Sequence, residues 1–162
     1  MLACALGLLV IAIGVSLIVD RGDRWGLRRS VRSVALEGAA AVAVTCTLGS
    51  LYLSEVADFR PCRLCWIQRG FMYPAALVLI LAMVAKRPKL GLIGGALALC
   101  GLPVSIFHRI EQSVGEIGGT CSLDNPCSAR WVNHFGFITI PTMAAVGFVG
   151  ILVLIALSWR TS

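Results

Sequence analysis

Two pairs of cysteines stand out in this sequence because each lies on a short polar stretch between long apolar segments. The first pair is Cys62 and Cys65, and the second pair is Cys121 and Cys127. A thiolate attacks a disulfide and takes over one of its sulfur atoms, so two neighbouring dithiols can pass electrons from one to the other. The pattern therefore indicates chemistry by disulfide exchange.

The residues around Cys62 favour a reactive thiolate. Pro61 suits the first turn of a helix, so Cys62 should lie where unpaired backbone N–H groups and the helix dipole attract negative charge. Positive charge nearby also lowers a thiol pKa, and it comes from Arg60, Arg63 and Arg69. Two other interpretations stay open: a permanent disulfide, or a zinc site that uses both cysteine pairs.

Polar residues at the predicted membrane boundary could serve an electron acceptor. Arg69 follows Cys65 by four residues, so it lies on the same helix face, where it could stabilise negative charge on the acceptor. The alternative is an arginine whose stem lies in lipid and whose head reaches the interface. His108 and Gln112 could present donors to the same acceptor, while Glu111 is expected to turn aside. An ordinary polar helix end is the other interpretation of this cluster.

The second cysteine pair lies in a segment, 118–127, that is rich in glycine and turn residues. Such a loop can move, as a shuttle between a soluble protein and the first pair must. The alternative is a static disulfide that braces the loop. The remaining cysteines lie in apolar segments and are expected to pack there as small apolar residues; they are Cys4, Cys46 and Cys100.

The composition predicts an integral membrane protein with one compact helical domain. Of 162 residues, 58% are hydrophobic and 14% are charged, with a mean hydropathy of +0.89. A helix needs roughly 20 apolar residues to cross the hydrocarbon core. Continuously apolar runs favour helices over strands, since a helix satisfies its own backbone in lipid. Five stretches qualify, at about 2–19, 34–53, 66–85, 90–107 and 135–157.

Basic residues predict the orientation of these helices. They concentrate in the connection 20–33, in the turn 86–89 and at Arg160, all on one side by alternation. The positive-inside rule makes that side cytoplasmic, so both cysteine pairs and the N-terminus face the extracytoplasmic side, where disulfides persist. The net charge of +6 reflects this topology and lipid headgroups rather than nucleic acid. The first stretch is expected to be a retained helix, because it lacks a basic leader and a clear cleavage site.

An ordered set of motifs resembles the DsbB family, and within it the short-loop, BdbC-like branch. The motifs are residues 61–69, Tyr73 with Pro74, the polar residues at 108–112, the second cysteine pair, Asn133 and residues 135–141. The resemblance covers roughly residues 45–155. It implies an all-α membrane protein, a four-helix transmembrane bundle over residues 34–162. This chain adds an N-terminal transmembrane helix and a basic connection at 1–33.

The resemblance also implies an activity. A thiol:quinone oxidoreductase of this family reoxidises a thioredoxin-fold, DsbA-like thiol oxidase and passes the electrons to ubiquinone or menaquinone. Cys121 would form the mixed disulfide with the partner, Cys127 would exchange with Cys62, and Cys65 would reduce the quinone. The cofactor-binding positions carried over are Arg69, which matches the family's arginine beside the quinone, and, more loosely, His108 and Gln112.

One departure from the family and three rival functions stay open. Five residues separate Cys121 from Cys127, far fewer than in long-loop members, which leaves open how Cys127 reaches Cys62.

An enzyme similar to vitamin K epoxide reductase would carry its loop cysteines before the C-x-x-C pair, contrary to the order here. A transporter would have only Glu37 and Arg69 as intramembrane charges. A zinc-braced membrane scaffold would use both cysteine pairs and would be recognised by its metal content.

Overall fold

Four long helices form the part of the chain that the structure, a computed structural model, describes: residues 25–115, 127 and 139–160. Each helix contains a segment long and apolar enough to cross a membrane. The predicted all-α transmembrane fold is thereby confirmed. The first apolar stretch, about 2–19, lies outside the described residues, so the extra N-terminal helix stays a prediction. The helices are α1 (Trp25–Glu55), α2 (Arg63–Val84), α3 (Pro88–Val114) and α4 (Ile140–Arg160).

The helix bounds differ from the sequence prediction at several points, and α4 begins at Ile140 rather than at 135. Helix α1 begins at Trp25, inside the segment that was expected to be a connection, and α2 begins at Arg63 rather than 66. Helix α3 continues to Val114 instead of ending near 107, so the polar residues from 108 onward belong to its last turns. Hydropathy marks only the portion of a helix that suits lipid, and polar residues can extend the same helix beyond it.

The helices form a ring in which chain neighbours pack side by side. Helix α1 packs against α2 and α4, and α3 packs against the same two helices. Neighbours run in opposite directions: Gly38 on α1 lies near Leu154 on α4, whereas Gly147, earlier on α4, lies near Cys46, later on α1. The result is an up-and-down four-helix bundle.

Small residues on the inward faces let these helices approach closely. An added Cβ at Gly94 would lie 2.7 Å from Cγ of Leu79, and one at Gly101 would collide with the ring of Phe148. Close approach of this kind is how membrane helices gain packing energy, because lipid is as apolar as leucine. Large apolar side chains point outward instead, as a lipid-facing surface requires; they include Leu48, Leu77, Leu81, Ile93, Leu99 and Ile106.

The two helix connections on either side of α2 lie at opposite ends of the bundle. At one end, α2 and α3 are joined by a tight turn in which Lys86 has a φ of 51°, and Pro88 then starts α3. This end carries Lys86, Arg87 and Lys89. At the other end, residues 56–62 join α1 to α2, and Cys62 lies there. The first cysteine pair is thus separated from the basic turn by the length of α2.

Candidate active site

Cys62 is the residue that caps the N-terminus of α2. Its backbone is extended (φ −74°, ψ 173°), and its Sγ accepts a hydrogen bond from the backbone N–H of Cys65 at 3.4 Å. The Sγ atoms of the two residues lie 2.9 Å apart. The sequence prediction placed Pro61 in the first turn, but Pro61 precedes the cap and the helix starts at Arg63. Cys62 nevertheless lies at the positive end of the helix, as predicted.

Hydrogen bonds lower the pKa of the Cys62 thiol from 9.0 to about 4. The largest contribution is the hydrogen bond from the Cys65 side chain, with further contributions from the hydrogen bond and the electrostatic effect of His108 and from the Cys65 backbone N–H. Burial of Cys62 acts in the opposite direction, because a thiolate is poorly solvated there. The net effect favours the thiolate, the form of cysteine that attacks disulfides.

His108 approaches Cys62 from α3. Its Nε2 atom lies 3.6 Å from the Cys62 Sγ, and its Nδ1 atom lies 3.2 Å from the side-chain nitrogen of Gln68 on α2. His108 and Gln68 are both buried. Gln68 was not among the predicted site residues. Its signal in the sequence was a polar amide three positions after Cys65, inside a helix that is otherwise apolar on its buried face.

Cys127 lies in the same buried cluster as Cys62. It is 1% exposed and packs in a group that includes Cys62, Leu64 and the half-buried Cys65. The main-chain oxygen of Cys127 lies 3.2 Å from His108 Nε2. The short spacing of the second pair therefore does not keep Cys127 away from the first pair, which answers the question that the sequence left open.

Cys127 is disulfide-bonded. The other cysteines within the described ranges are thiols; they are Cys46, Cys62, Cys65 and Cys100. Cys121 also lies outside the described residues, and its predicted pairing with Cys127 stays a prediction. A cysteine held in a disulfide offers no thiolate to a metal.

Arg69 lies on α2, four residues after Cys65. Its guanidinium donates to the main-chain oxygen of Ser50 on α1 at 2.9 Å and stands 5.2 Å from the ring centre of Trp66. Tyr73 donates to the Ser50 hydroxyl at 3.4 Å. Arg69 is thus held by α1 and by an aromatic face, rather than only extending its head to the interface. This cluster thus places a cation, an aromatic face and two hydroxyl groups on neighbouring positions of α1 and α2.

A comparison with known protein families shows to which family this chain belongs. The family model described as disulfide bond formation protein DsbB matches residues 32–158. The chain belongs to the DsbB family. The match covers all four described membrane-crossing segments and both cysteine pairs, so the resemblance seen in the motifs is confirmed.

Individual relatives agree with this membership. The chain is 40% identical to disulfide bond formation protein C of Bacillus subtilis over 128 residues, which are 78% of this chain and 93% of the relative. It is 46% identical to a probable disulfide formation protein of Oceanobacillus iheyensis over 109 residues, which are 65% of this chain and 75% of the relative. No solved structure matched it. The chain is thus a multi-pass, DsbB-family disulfide formation protein.

Two sequence predictions about other residues of this DsbB-family chain are wrong. Glu111 does not turn aside: it is 0% exposed, and Gln112 is also buried. Residues three and four positions after His108 share its helix face, so Glu111 and Gln112 are buried together with His108. Cys100 was expected to be buried, but it lies on the exposed surface of α3, whereas Cys46 is half-buried against the core. Cys4 lies outside the described residues.

Three of the site residues could hold a metal ion. The Sγ atoms of Cys62 and Cys65 and a ring nitrogen of His108 lie within 4.8 Å of one another. Two thiolates and an imidazole suit zinc, although the 2.9 Å separation of the sulfur atoms would have to widen around a tetrahedral ion. The same closeness suits the formation of a Cys62–Cys65 disulfide, which requires no ion.

Proposed function

We propose that this chain is a membrane thiol:quinone oxidoreductase. It reoxidises an extracytoplasmic, thioredoxin-fold (DsbA-like) thiol oxidase and passes the electrons through its two cysteine pairs to a membrane quinone. The observation that carries the proposal is the packing of the disulfide-bonded Cys127 in one buried cluster with the thiols of Cys62 and Cys65. Exchange needs sulfur atoms that can meet without water between them, and this cluster supplies that proximity.

Electrons enter through the second pair. A thiolate of the partner attacks Cys121, forms a mixed disulfide and releases Cys127 as a thiolate. Cys127 attacks Cys62 of an oxidised Cys62–Cys65 pair, and the bond between these two sulfur atoms breaks with its electrons on Cys65. The second thiol of the partner then releases Cys121, which attacks Cys127 and frees Cys62. The partner has lost two electrons and two protons, and Cys62 and Cys65 hold them.

The first pair then returns to the disulfide by giving two electrons and two protons to the quinone, which becomes a quinol. The two residues differ in exposure, with Cys62 buried and Cys65 half-buried, which supports Cys65 as the one that meets the acceptor. Arg69 and Trp66 offer a cation and an aromatic face, which suit a flat ring with polar oxygens. Contact of His108 and Gln112 with the quinone is part of the proposal, alongside the contact of His108 with Cys62.

We also propose that the Cys62 end of the bundle faces the extracytoplasmic side. The support is the basic turn at Lys86, Arg87 and Lys89, which lies at the opposite end and suits the cytoplasmic side. A maleimide that cannot cross membranes should label reduced Cys62 or Cys65 in intact cells. Labelling of these cysteines only after the cells are lysed would contradict this orientation.

The electron path can be tested with purified protein in detergent. Reduced thioredoxin-fold partner is added with ubiquinone or menaquinone, and quinone absorbance is followed. We expect quinone reduction by the native chain and its loss in both Cys65→Ser and Cys121→Ser. Cys100→Ser is the matched control, because Cys100 is an exposed thiol on α3 outside the cluster, and it should reduce quinone at the native rate.

Two outcomes would contradict the proposal. Quinone reduction that continues in Cys65→Ser would mean that the electrons bypass the first pair. Absence of reduction with either quinone, together with one zinc ion per protein chain, would favour the scaffold function, for which Cys62, Cys65 and His108 supply three donors. Zinc content is therefore measured on the same preparation.

A further inference from the structure

His108 has a contact at each ring nitrogen, and these contacts decide which nitrogen carries the proton. Nε2 lies 3.2 Å from the main-chain oxygen of Cys127, which only accepts hydrogen bonds, so Nε2 must donate an N–H. Nδ1 accepts, because the side-chain nitrogen of Gln68, which only donates, lies 3.2 Å from it. Two separate contacts assign the same neutral tautomer.

The N–H on Nε2 lies between an atom of Cys127 and an atom of Cys62. Besides the Cys127 oxygen, it faces the Cys62 Sγ at 3.6 Å. His108 is 2% exposed and Gln68 is 5% exposed, so water does not readily replace either contact. A thiolate in such a place depends on the donors aimed at it, because a buried charge without hydrogen bonds is costly.

We propose that Gln68 is a positioning residue for disulfide exchange: it holds His108 in the Nε2–H form and so keeps one donor between Cys62 and Cys127. The inference rests on the proposed function and adds a residue to it. The step that benefits is the one in which Cys121 attacks Cys127, the Cys62–Cys127 bond breaks and its electron pair stays on Cys62. A leaving sulfur that is better stabilised as a thiolate leaves faster.

Substitutions of Gln68 should act on Cys62 in opposite directions. In Gln68→Met, a side chain of similar length gives Nδ1 no donor, so the proton can move to Nδ1 and leave Nε2 with a lone pair towards Cys62. In Gln68→Glu, the carboxylate accepts a hydrogen bond from Nδ1–H and favours the imidazolium, whose Nε2–H donates more strongly. A residue that only fills space would not produce opposite effects.

The tautomer can be measured directly by 15N NMR of histidine. The chain has two histidines, so in His134→Gln the only histidine signal comes from His108, and Gln68 is unchanged. We expect a protonated Nε2 and an unprotonated Nδ1 at neutral pH in the reduced protein, and a mixture of tautomers when Gln68→Met is added. A protonated Nδ1 in the chain that keeps Gln68 would overturn the proposal even if the Gln68 variants fail to fold.

The effect on Cys62 is measured by the pH dependence of its alkylation in the reduced protein. We expect Gln68→Met to raise the pKa of Cys62 by about one unit, which is roughly a tenfold loss of thiolate at low pH, and Gln68→Glu to lower it. An upward shift of equal size in both variants would assign Gln68 a packing role. Neither measurement needs quinone or partner, so failure of the electron path would not produce either result.

Discussion

The thiol of Cys65 should control the acidity of Cys62. Its Sγ lies 2.9 Å from the Cys62 Sγ and is the largest cause of the lowered Cys62 pKa. Cys65→Ala removes this donor but keeps the backbone N–H, which lies 3.4 Å from Cys62, and keeps His108. A hydrogen bond to a charged group contributes roughly 1.5–3 kcal/mol. Since one pKa unit corresponds to about 1.4 kcal/mol, the pKa of Cys62 should rise by about 1–2 units.

The predicted rise in the Cys62 pKa determines the pH at which the native chain and the variant differ most. The native chain, with a Cys62 pKa of about 4, holds mostly thiolate at about pH 5. At the same pH, Cys65→Ala should hold about half or less, and near pH 8 the two should not differ. The rate of Cys62 alkylation, measured by peptide mass spectrometry between about pH 3 and pH 9, reports the thiolate fraction.

Cys65→Ser is the matched control, because its hydroxyl is still a donor and should preserve part of the shift. Alkylation profiles that coincide for the native chain and Cys65→Ala would refute the role of the Cys65 thiol. Equal shifts in Cys65→Ala and Cys65→Ser would refute the hydrogen bond as the cause.

Three other results are expected. Arg69→Met should slow quinone reduction at least tenfold, about 1.4 kcal/mol, while mixed-disulfide formation with the partner, seen on non-reducing gels, stays at the native rate. Gly101→Ala should lower the unfolding free energy by about 1–3 kcal/mol in thermal unfolding, because its Cβ would lie 2.6 Å from Cε1 of the buried Phe148. Gly49→Ala is the control, since Gly49 has open space around it and an added Cβ should not destabilise the protein. The pKa of Cys62 in the folded protein lies below its ordinary value of 9.0. The thiolate therefore stabilises the folded, reduced protein above pH 9.0, and this stabilisation is lost as the pH falls towards 4. The difference in melting temperature between the native chain and Cys62→Ala should accordingly shrink between about pH 8 and pH 4. An unchanged quinone rate, an equal loss in both glycine variants, or a difference that grows in acid would each contradict the corresponding expectation.

Local properties of the sequence predicted the four described membrane helices and the position of Cys62 at a helix start. Hydrophobic length is a local property, since a helix must cross the hydrocarbon core whatever its neighbours are. A proline and a cysteine ahead of an apolar run likewise mark a helix start from neighbouring residues alone, although Pro61 precedes the cap instead of lying in the first turn. The ordered motifs predicted the family in the same way, because they can be recognised without knowing which residues meet.

Tertiary structure alone decided which residues face one another. Cys62 and His108 are 46 positions apart along the chain, and Gln68 and His108 are 40 apart, yet both pairs are in contact. Helical periodicity groups residues on a face, and applied correctly it would have buried Glu111 with His108. It does not say which helix covers that face. That is set by close packing between helices, such as Phe148 against Gly101, and it brings α2, α3 and Cys127 together at one end of the bundle.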